Sequence, residues 1–305
     1  MQPEFPPPHP LLPPIYNAQQ LMTAELPPRE AIVEPILARE GLAMLYGPRG
    51  LGKTFVALGL AWAAAAGGSF LKWQATRPHR VLYVDSEMPA ADMNQRLHLL
   101  GSAPPGLDFM MASLSPAGLL DLAKPDGQRG FERCWGATPP ELLVLDNLSS
   151  LVGIRSGDPD AWNALQSWLL GLRRRGMAVL LVHHAGKDGT QRGTSRREDV
   201  LDLVLALRRP ADYTPDQGAR FELHFEKARG LHGEAVHPFE ARLVTDGNGL
   251  ARFQWGPLAA TDFDRAVPLF QSGASVREAA ALLSLSKSAC HRLRMKAVER
   301  GLLMG

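Results

Sequence analysis

The octapeptide at residues 47–54 places the strongest constraint on the fold of this chain. It has the pattern G-x-x-x-x-G-K-[ST] and consists of Gly47, Pro48, Arg49, Gly50, Leu51, Gly52, Lys53 and Thr54. Glycines allow the tight backbone curl in which successive N–H groups point at one anion. A short apolar run, residues 41–46, precedes the pattern, and an alanine-rich apolar run, residues 55–66, follows it. Strand, loop and helix in this order predict a phosphate-binding loop instead of a glycine-rich turn that matches by chance.

The pattern assigns roles to single side chains. All eight residues would surround the phosphates of a nucleoside triphosphate. Lys53 would contact the β- and γ-phosphates, and the hydroxyl of Thr54 would bind Mg²⁺. We therefore expect a nucleotide and a magnesium ion at this loop.

Two further apolar runs end in acidic residues. Residues 80–87 form one predicted strand, and residues 141–147 form another. Glu87, at the end of the first, can orient and deprotonate a water molecule, although a solvated acid that caps the next helix is an equal alternative. Asp146, at the end of the second, is predicted to support Mg²⁺ through water.

A fourth buried strand is predicted at residues 177–182, followed by His183 and His184. No cysteine or HExxH pattern accompanies the two histidines, so a contact to the γ-phosphate fits better than a metal site. The helix that opens at Asp158-Pro159 carries a one-sided apolar stripe, which we expect to pack in the core. Further strands are predicted at residues 200–207 and 220–227, with a chain reversal near residues 228–230.

Composition limits the class of protein. A chain of 305 residues with 45% hydrophobic residues can bury a substantial core. Cys134 and Cys290 are the two cysteines, which suits a reducing cytoplasm without a disulfide framework. Signal-peptide features are missing and the longest apolar run is too short for a bilayer, so no membrane association is expected. Residues 1–28 begin with a proline-rich stretch and are predicted to form a flexible arm.

A polar segment at residues 185–199 is rich in glycine and in basic side chains. The cations are Lys187, Arg192, Arg196 and Arg197. A flexible basic loop at the ligand edge of a sheet suits the backbone of single-stranded DNA. A solvated surface loop is the alternative.

The complete series of motifs resembles one family. In order they are GPRGLGKT, VLYVDSE, LLVLDN, LLVHHAGK, RGTS at residues 192–195, and EKARG at residues 226–230. This order is similar to the RecA-like motor core of RepA-type hexameric DNA helicases of plasmids and phages, over about residues 29–255. The resemblance implies an α/β fold with a mostly parallel central sheet, ATP as the nucleotide, and a homo-oligomeric, hexameric ring on single-stranded DNA.

The resemblance also implies roles for individual residues. Glu87 matches the catalytic glutamate, Asp146 the Walker B acid, and His184 the position that senses the γ-phosphate. Lys227 and Arg229 resemble the K-x-R finger that one subunit offers to its neighbour's nucleotide. Arg208 and Arg209 are rival candidates for that finger.

Residues 264–305 do not resemble the tail of a helicase. They resemble a winged-helix or helix-turn-helix module, which follows a domain boundary near residue 257. The segment contains seven basic and three acidic residues, so its net charge is +4. A capping box at residues 275–278 opens one helix, and residues 287–298 form a predicted recognition helix. Lys287, His291 and Arg292 are its candidate contacts to duplex DNA. A packing or subunit-contact module is the alternative.

Three functions are compatible with these features. The first is an ATP-driven ring motor on single-stranded DNA, a replicative helicase of a plasmid, phage or mobile element. The second is a RecA-like repair or recombination ATPase. The third is a DNA-binding regulator that ATP switches and that unwinds no DNA.

Overall fold

The computed structural model describes residues 15–152, 159–184, 199–258, 260 and 262–303. The predicted DNA-contacting residues Lys187, Arg192, Arg196 and Arg197 lie outside the described residues, as do the first fourteen residues of the predicted arm. In the described part of that arm, residues 15–28, a short helix is present at Ala18–Thr23, here called α1.

The strands, numbered along the chain, are β1 (Ala31–Val33), β2 (Leu37–Ala38), β3 (Leu42–Gly47), β4 (Ser69–Phe70), β5 (Trp73–Gln74), β6 (Val81–Asp85), β7 (Leu107–Met111), β8 (Leu142–Asp146), β9 (Ala178–His184), β10 (Leu203–Arg208), β11 (Arg220–Ala228), β12 (Phe239–Thr245) and β13 (Ala251–Pro257). The helices after α1 are α2 (Lys53–Ala66), α3 (Ala90–Leu100), α4 (Pro125–Cys134), α5 (Leu148–Leu151), α6 (Pro159–Arg174), α7 (Asp262–Gln271), α8 (Val276–Leu283) and α9 (Lys287–Glu299).

Nine of these strands form one sheet, in the order β13-β12-β11-β10-β3-β9-β8-β6-β7. The neighbouring pairs from β10 to β7 are all parallel, whereas the three pairs from β10 to β13 are antiparallel. The prediction of a mostly parallel central sheet is therefore confirmed. Because parallel strands all end at the same edge, the segments that follow β3, β6, β8 and β9 meet there.

Helices cover both faces of the sheet. In β3, Ala43 and Leu45 pack into the apolar cluster that contains α2, whereas Leu42 and Met44 pack into the cluster that contains α6. This alternation follows from the period-two geometry of a strand. The predicted apolar stripe of α6 is confirmed as core, since all five of its side chains are buried: Trp162, Leu165, Trp168, Leu169 and Leu172.

The reversal predicted near residues 228–230 is only the start of a longer connection. Residues 229–238, which include a 3₁₀ turn at Gly233–Val236, separate β11 from β12. β7, β12 and β13 are not predicted from the sequence. β7 and β13 are the two edges of the sheet and carry mixed polar and apolar residues, so they lack the continuous apolar run of a central parallel strand.

The three helices after residue 261 enclose a small apolar core of their own. Phe270, Leu283 and Cys290 are buried in it. Ser275 caps α8 through the predicted capping box with Glu278, and Ser286 caps α9. Helix, turn and helix thus lie where they are predicted, and between residues 262 and 303, the described range of this segment, no strand pair of a wing is present. No helix in the described part of the chain is long and apolar enough to cross a membrane.

Candidate functional site

A cavity of about 400 Å³ lies at the carboxyl edge of the parallel strands. Its walls come from the octapeptide and from the ends of β6, β8 and β9, and they include Gly50, Gly52, Lys53, Thr54, Glu87, Asp146 and His184. The structure therefore brings together predicted residues that are up to 134 positions apart in sequence, Gly50 and His184. The volume lies in the range of small-ligand sites.

The glycines of the octapeptide hold a backbone that other residues would strain. Gly50 and Gly52 have φ angles of +74° and +98°. A Cβ at Gly52 would also lie 3.0 Å from the Cβ of Ala219. Gly52 is the cap residue of α2, and glycine has no side chain that could accept a hydrogen bond from the first backbone N–H groups of the helix. Such a helix end favours a bound phosphate.

Lys53 is the buried cation of the site. Its side-chain nitrogen Nζ donates a hydrogen bond of 2.7 Å to the carbonyl oxygen of Pro48. Burial lowers the pKa of Lys53 to about 8, and the carboxylate of Asp146 opposes that shift. A bound triphosphate would supply the negative charge that this buried ammonium lacks.

We expect nucleotide binding to take up a proton at Lys53. In the free protein the group loses its proton as the pH rises through about 8, and the phosphates raise its pKa, so affinity falls above that pH. Near pH 8, binding should take up about half a proton per site. Isothermal calorimetry in two buffers of different ionisation enthalpy measures this uptake. Lys53→Arg keeps the charge without titrating, so equal uptake by that variant and the natural protein would contradict the prediction.

Asp146 and Thr54 lie together, as expected if Thr54 binds a magnesium ion that Asp146 supports through water. The carboxylate of Asp146 accepts a 2.7 Å hydrogen bond from the Tyr83 hydroxyl and another from the Thr54 hydroxyl. Burial raises the pKa of Asp146, and these hydrogen bonds partly offset that effect. Hydroxyl and carboxylate oxygens are ligands that Mg²⁺ prefers, so the two residues fit the ion predicted from the sequence.

Glu87 and His184 form part of a hydrogen-bonded group beside the octapeptide. Oε2 of Glu87 lies 3.6 Å from Nε2 of His184. Ser150 donates a 2.6 Å hydrogen bond to Oε1 of Glu87, and Nδ2 of Asn147 lies 3.1 Å from Nε2 of His184. Although burial alone raises the pKa of Glu87, its hydrogen bonds and His184 lower it overall. Burial lowers the pKa of His184. At neutral pH the pair is therefore a carboxylate beside a neutral imidazole.

Asp85 is a site residue that the sequence reasoning missed. It lies opposite Asp146 on the neighbouring strand and is buried. Its Oδ1 accepts hydrogen bonds from the backbone N–H groups of Glu87, at 3.1 Å, and Met88, at 2.6 Å. Burial raises the pKa of Asp85 to about 6. Asp85 shapes the turn that presents Glu87, and the signal in the sequence is an acid followed closely by a helix start.

Arg96 of α3 is a second site residue that the sequence does not predict. Its side chain lines the cavity, and its guanidinium lies 4.7 Å from the ring centre of Phe55, the residue after Thr54. A guanidinium in this position can contact the phosphates of a bound nucleotide. Its position nine residues after Glu87 forms no local pattern by itself, so only the packing of α3 reveals it.

The predicted finger residues lie at the other end of the strands. Ala228 pairs with Leu203, which in turn pairs with Ala43 near the start of β3. Lys227 and Arg229 are therefore far from the octapeptide of their own chain. Lys227 Nζ donates a 3.3 Å hydrogen bond to the Asp199 carbonyl, and Nη1 of Arg229 lies 3.3 Å from Oδ1 of Asp202.

The rival finger residues lie at the phosphate edge. Arg208 ends β10, and the residue before it, Leu207, closely approaches Gly47. Nη2 of Arg208 lies 2.9 Å from Oε1 of Glu226. The guanidinium of Arg209 lies 5.3 Å from the ring centre of Tyr213. Arg208 and Arg209 are therefore better placed than Lys227 and Arg229 to contact a nucleotide that is bound to their own chain.

The candidate DNA contacts in the tail are exposed. Lys287, His291 and Arg292 all lie on the outward side of α9, whereas Cys290 and Ala297 face the small core. The structure thus leaves these three side chains accessible to a partner.

Comparison with known proteins shows the family. The AAA_25 model, described as an AAA domain, matches residues 7–190, which is more than half of the chain. This chain belongs to the AAA_25 family. The match begins within the predicted arm and includes the octapeptide, Glu87, Asp146 and His184. The AAA_25 assignment shows a RecA-like P-loop ATPase, and it does not distinguish the RepA-type helicases within that class.

Two similar proteins add detail to the AAA_25 assignment. The chain is 26% identical over 172 residues to the DNA repair protein RadA of Brucella abortus (strain 2308), a match that covers 55% of this chain and 33% of RadA. The chain thus spans about a third of the length of that curated relative. The crystal structure of a KaiC-like protein from Pyrococcus horikoshii OT3 has a TM-score of 0.51 at 15% identity, covering 74% of this chain and 94% of that one. This likeness shows the fold.

Proposed function

We propose that this protein is an ATP-hydrolysing ring motor that acts on single-stranded DNA, a helicase in the replication of a plasmid, phage or related element. The observation that carries the proposal is the placement of Glu87 and His184 beside Lys53, Thr54 and Asp146 in one cavity. A loop that only binds a nucleotide needs no carboxylate beside the phosphates, whereas a carboxylate placed there can accept the proton of the attacking water during hydrolysis.

The proposed chemistry divides among the residues of the cavity. Lys53 and the N–H groups at the start of α2 bind the phosphate charge. Glu87 accepts the proton of the attacking water, and His184 responds to the γ-phosphate. Mg²⁺, held by Thr54 and by Asp146 through water, would neutralise charge on the phosphates.

The DNA part of the proposal rests on charge and position. The basic residues predicted to contact single strands follow His184 directly in sequence. Binding of DNA there would be coupled to the γ-phosphate through the adjacent histidine. Subunits in a ring would place Lys227 and Arg229 of one chain against the nucleotide of the next chain. This arrangement is consistent with the position of both residues, which lie far from the octapeptide of their own chain.

A second candidate function is a DNA repair or recombination ATPase that assembles as filaments. The match to RadA, a DNA repair protein, favours this candidate. Native mass spectrometry with a non-hydrolysable ATP analogue separates closed rings from open filaments. An unwinding assay on a forked duplex then tests the motor directly. Rings that hydrolyse ATP in the presence of single strands and unwind no duplex would overturn the helicase proposal and favour an ATP-switched regulator.

We further propose that residues 29–257 form the motor and that residues 264–305 form a helix-turn-helix module that reads duplex DNA. Seven basic residues against three acidic ones, together with an outward-facing α9, support the module. In such modules, residues near the start of the second helix contact base edges.

We expect removal of residues 258–305 to flatten the salt dependence of duplex binding and to leave ATPase stimulation by single strands intact. The logarithm of the binding constant falls linearly with the logarithm of the salt concentration. For every phosphate that the shortened protein no longer neutralises, the magnitude of this slope should decrease by about one. Arg292→Ala should weaken binding to the preferred duplex by about 1–3 kcal/mol relative to random duplex. Binding titrations over a range of salt concentrations measure both effects.

The matched control for this experiment is Arg277→Ala, because Arg277 is an exposed arginine of α8 outside the recognition helix. It should not change the preference between the two duplexes. If the truncated protein fails to assemble and yet binds duplex normally, the tail is a packing element.

A further inference from the structure

Glu87 lies in a closed group of four side chains that join the ends of three strands. Ser150 Oγ donates to Glu87 Oε1 at 2.6 Å, and it also lies 3.5 Å from Oδ1 of Asn147. Asn147 Nδ2 lies 3.1 Å from His184 Nε2, which lies 3.6 Å from Glu87 Oε2. The bond from Ser150 to Glu87 is the shortest contact of the group.

Packing alone does not fix the orientation of the Glu87 carboxylate. Its side chain is 50% exposed, and an exposed carboxylate on a two-carbon stem samples several rotamers. A general base must instead keep one oxygen within hydrogen-bonding reach of the water it activates. The tether on Oε1 restricts those rotamers.

Ser150 can supply such a tether because its own helix is firmly held. Leu148 and Leu151 of α5 are buried in the core, and Asn147 caps the helix by accepting a hydrogen bond from the Ser150 backbone N–H. Ser150 itself is exposed, so its hydroxyl is not required for packing.

We propose that Ser150 is a positioning residue for hydrolysis, and that its hydroxyl holds the Glu87 carboxylate in the orientation that activates water. This inference rests on the proposed role of Glu87 as the general base. Nothing in the local sequence indicates the partnership, because Ser150 and Glu87 are 63 positions apart.

The test is steady-state ATP hydrolysis by the full-length Ser150→Ala variant. We expect kcat to fall about tenfold to a hundredfold, as for a displaced catalytic group, while the KM for ATP changes by less than about twofold. Ser150→Thr retains the hydroxyl and should recover most of the activity. Ser102→Ala, which alters an exposed serine between α3 and β7 outside the cavity, should behave like the natural protein.

A double variant separates positioning from a general structural effect. In a Glu87→Gln background, Ser150→Ala should add little further loss, because the base is already absent. An equal loss in both backgrounds would overturn the inference, as would an unchanged kcat in Ser150→Ala when Glu87→Gln is inactive. Normal hydrolysis by Glu87→Gln would overturn the proposed role of Glu87 and this inference with it.

Discussion

Glu87→Gln is expected to retain ATP binding and to lose most of its turnover, with kcat falling about 10²–10⁴-fold. Glutamine has nearly the same shape as glutamate and can still accept the hydrogen bond from Ser150. It cannot accept a proton from the attacking water. Phosphate release under saturating ATP, together with the affinity for a fluorescent ATP analogue, measures the two quantities separately.

Lys53→Ala provides the comparison because it removes a different function. Loss of the buried ammonium should weaken nucleotide binding as well as turnover, since Lys53 supplies charge to the phosphates in the ground state and in the transition state. The two variants should therefore fail at different steps. Near-normal turnover by Glu87→Gln would show that another group activates the water.

Arg229→Ala is expected to lose turnover about 10³–10⁵-fold if Arg229 is the finger that stabilises charge in the neighbouring subunit. The octapeptide of this variant is intact, and Lys53→Ala has intact fingers. In a ring assembled from equal amounts of both, about one quarter of the interfaces combine an intact octapeptide with an intact finger. The mixture should then recover activity that neither variant shows alone, as measured by ATP hydrolysis on rings shown to be mixed by native mass spectrometry.

Arg208→Ala serves as the rival variant in the same mixing experiment. Arg208 lies at the phosphate edge of its own chain, paired with Glu226. If Arg208 acts on the nucleotide of its own chain, mixing Arg208→Ala with Lys53→Ala should restore no ATP hydrolysis. Every site in the mixed ring then carries one of the two defects. Recovery with Arg208→Ala and none with Arg229→Ala would transfer the finger to Arg208.

Much of the fold and the centre of the site could be predicted from the sequence. Buried parallel strands require continuous apolar runs, so β3, β6, β8, β9 and β10 were located to within a few residues. The octapeptide needs glycines at positive φ, and a lysine and a threonine at fixed spacing. The capping box of α8 was readable for the same reason, because each bond in it joins residues three positions apart.

The tertiary structure decided which distant residues act together. β8 lies beside β6, and β9 beside β8, so Ser150, Glu87 and His184 converge although the chain between them is long. The packing of α3 places Arg96 at the cavity, and the sheet places Arg229 at the opposite end of the strands. Local patterns reflect how each segment is buried, whereas strand order and register follow from packing of the whole core, and no short stretch of sequence contains that information.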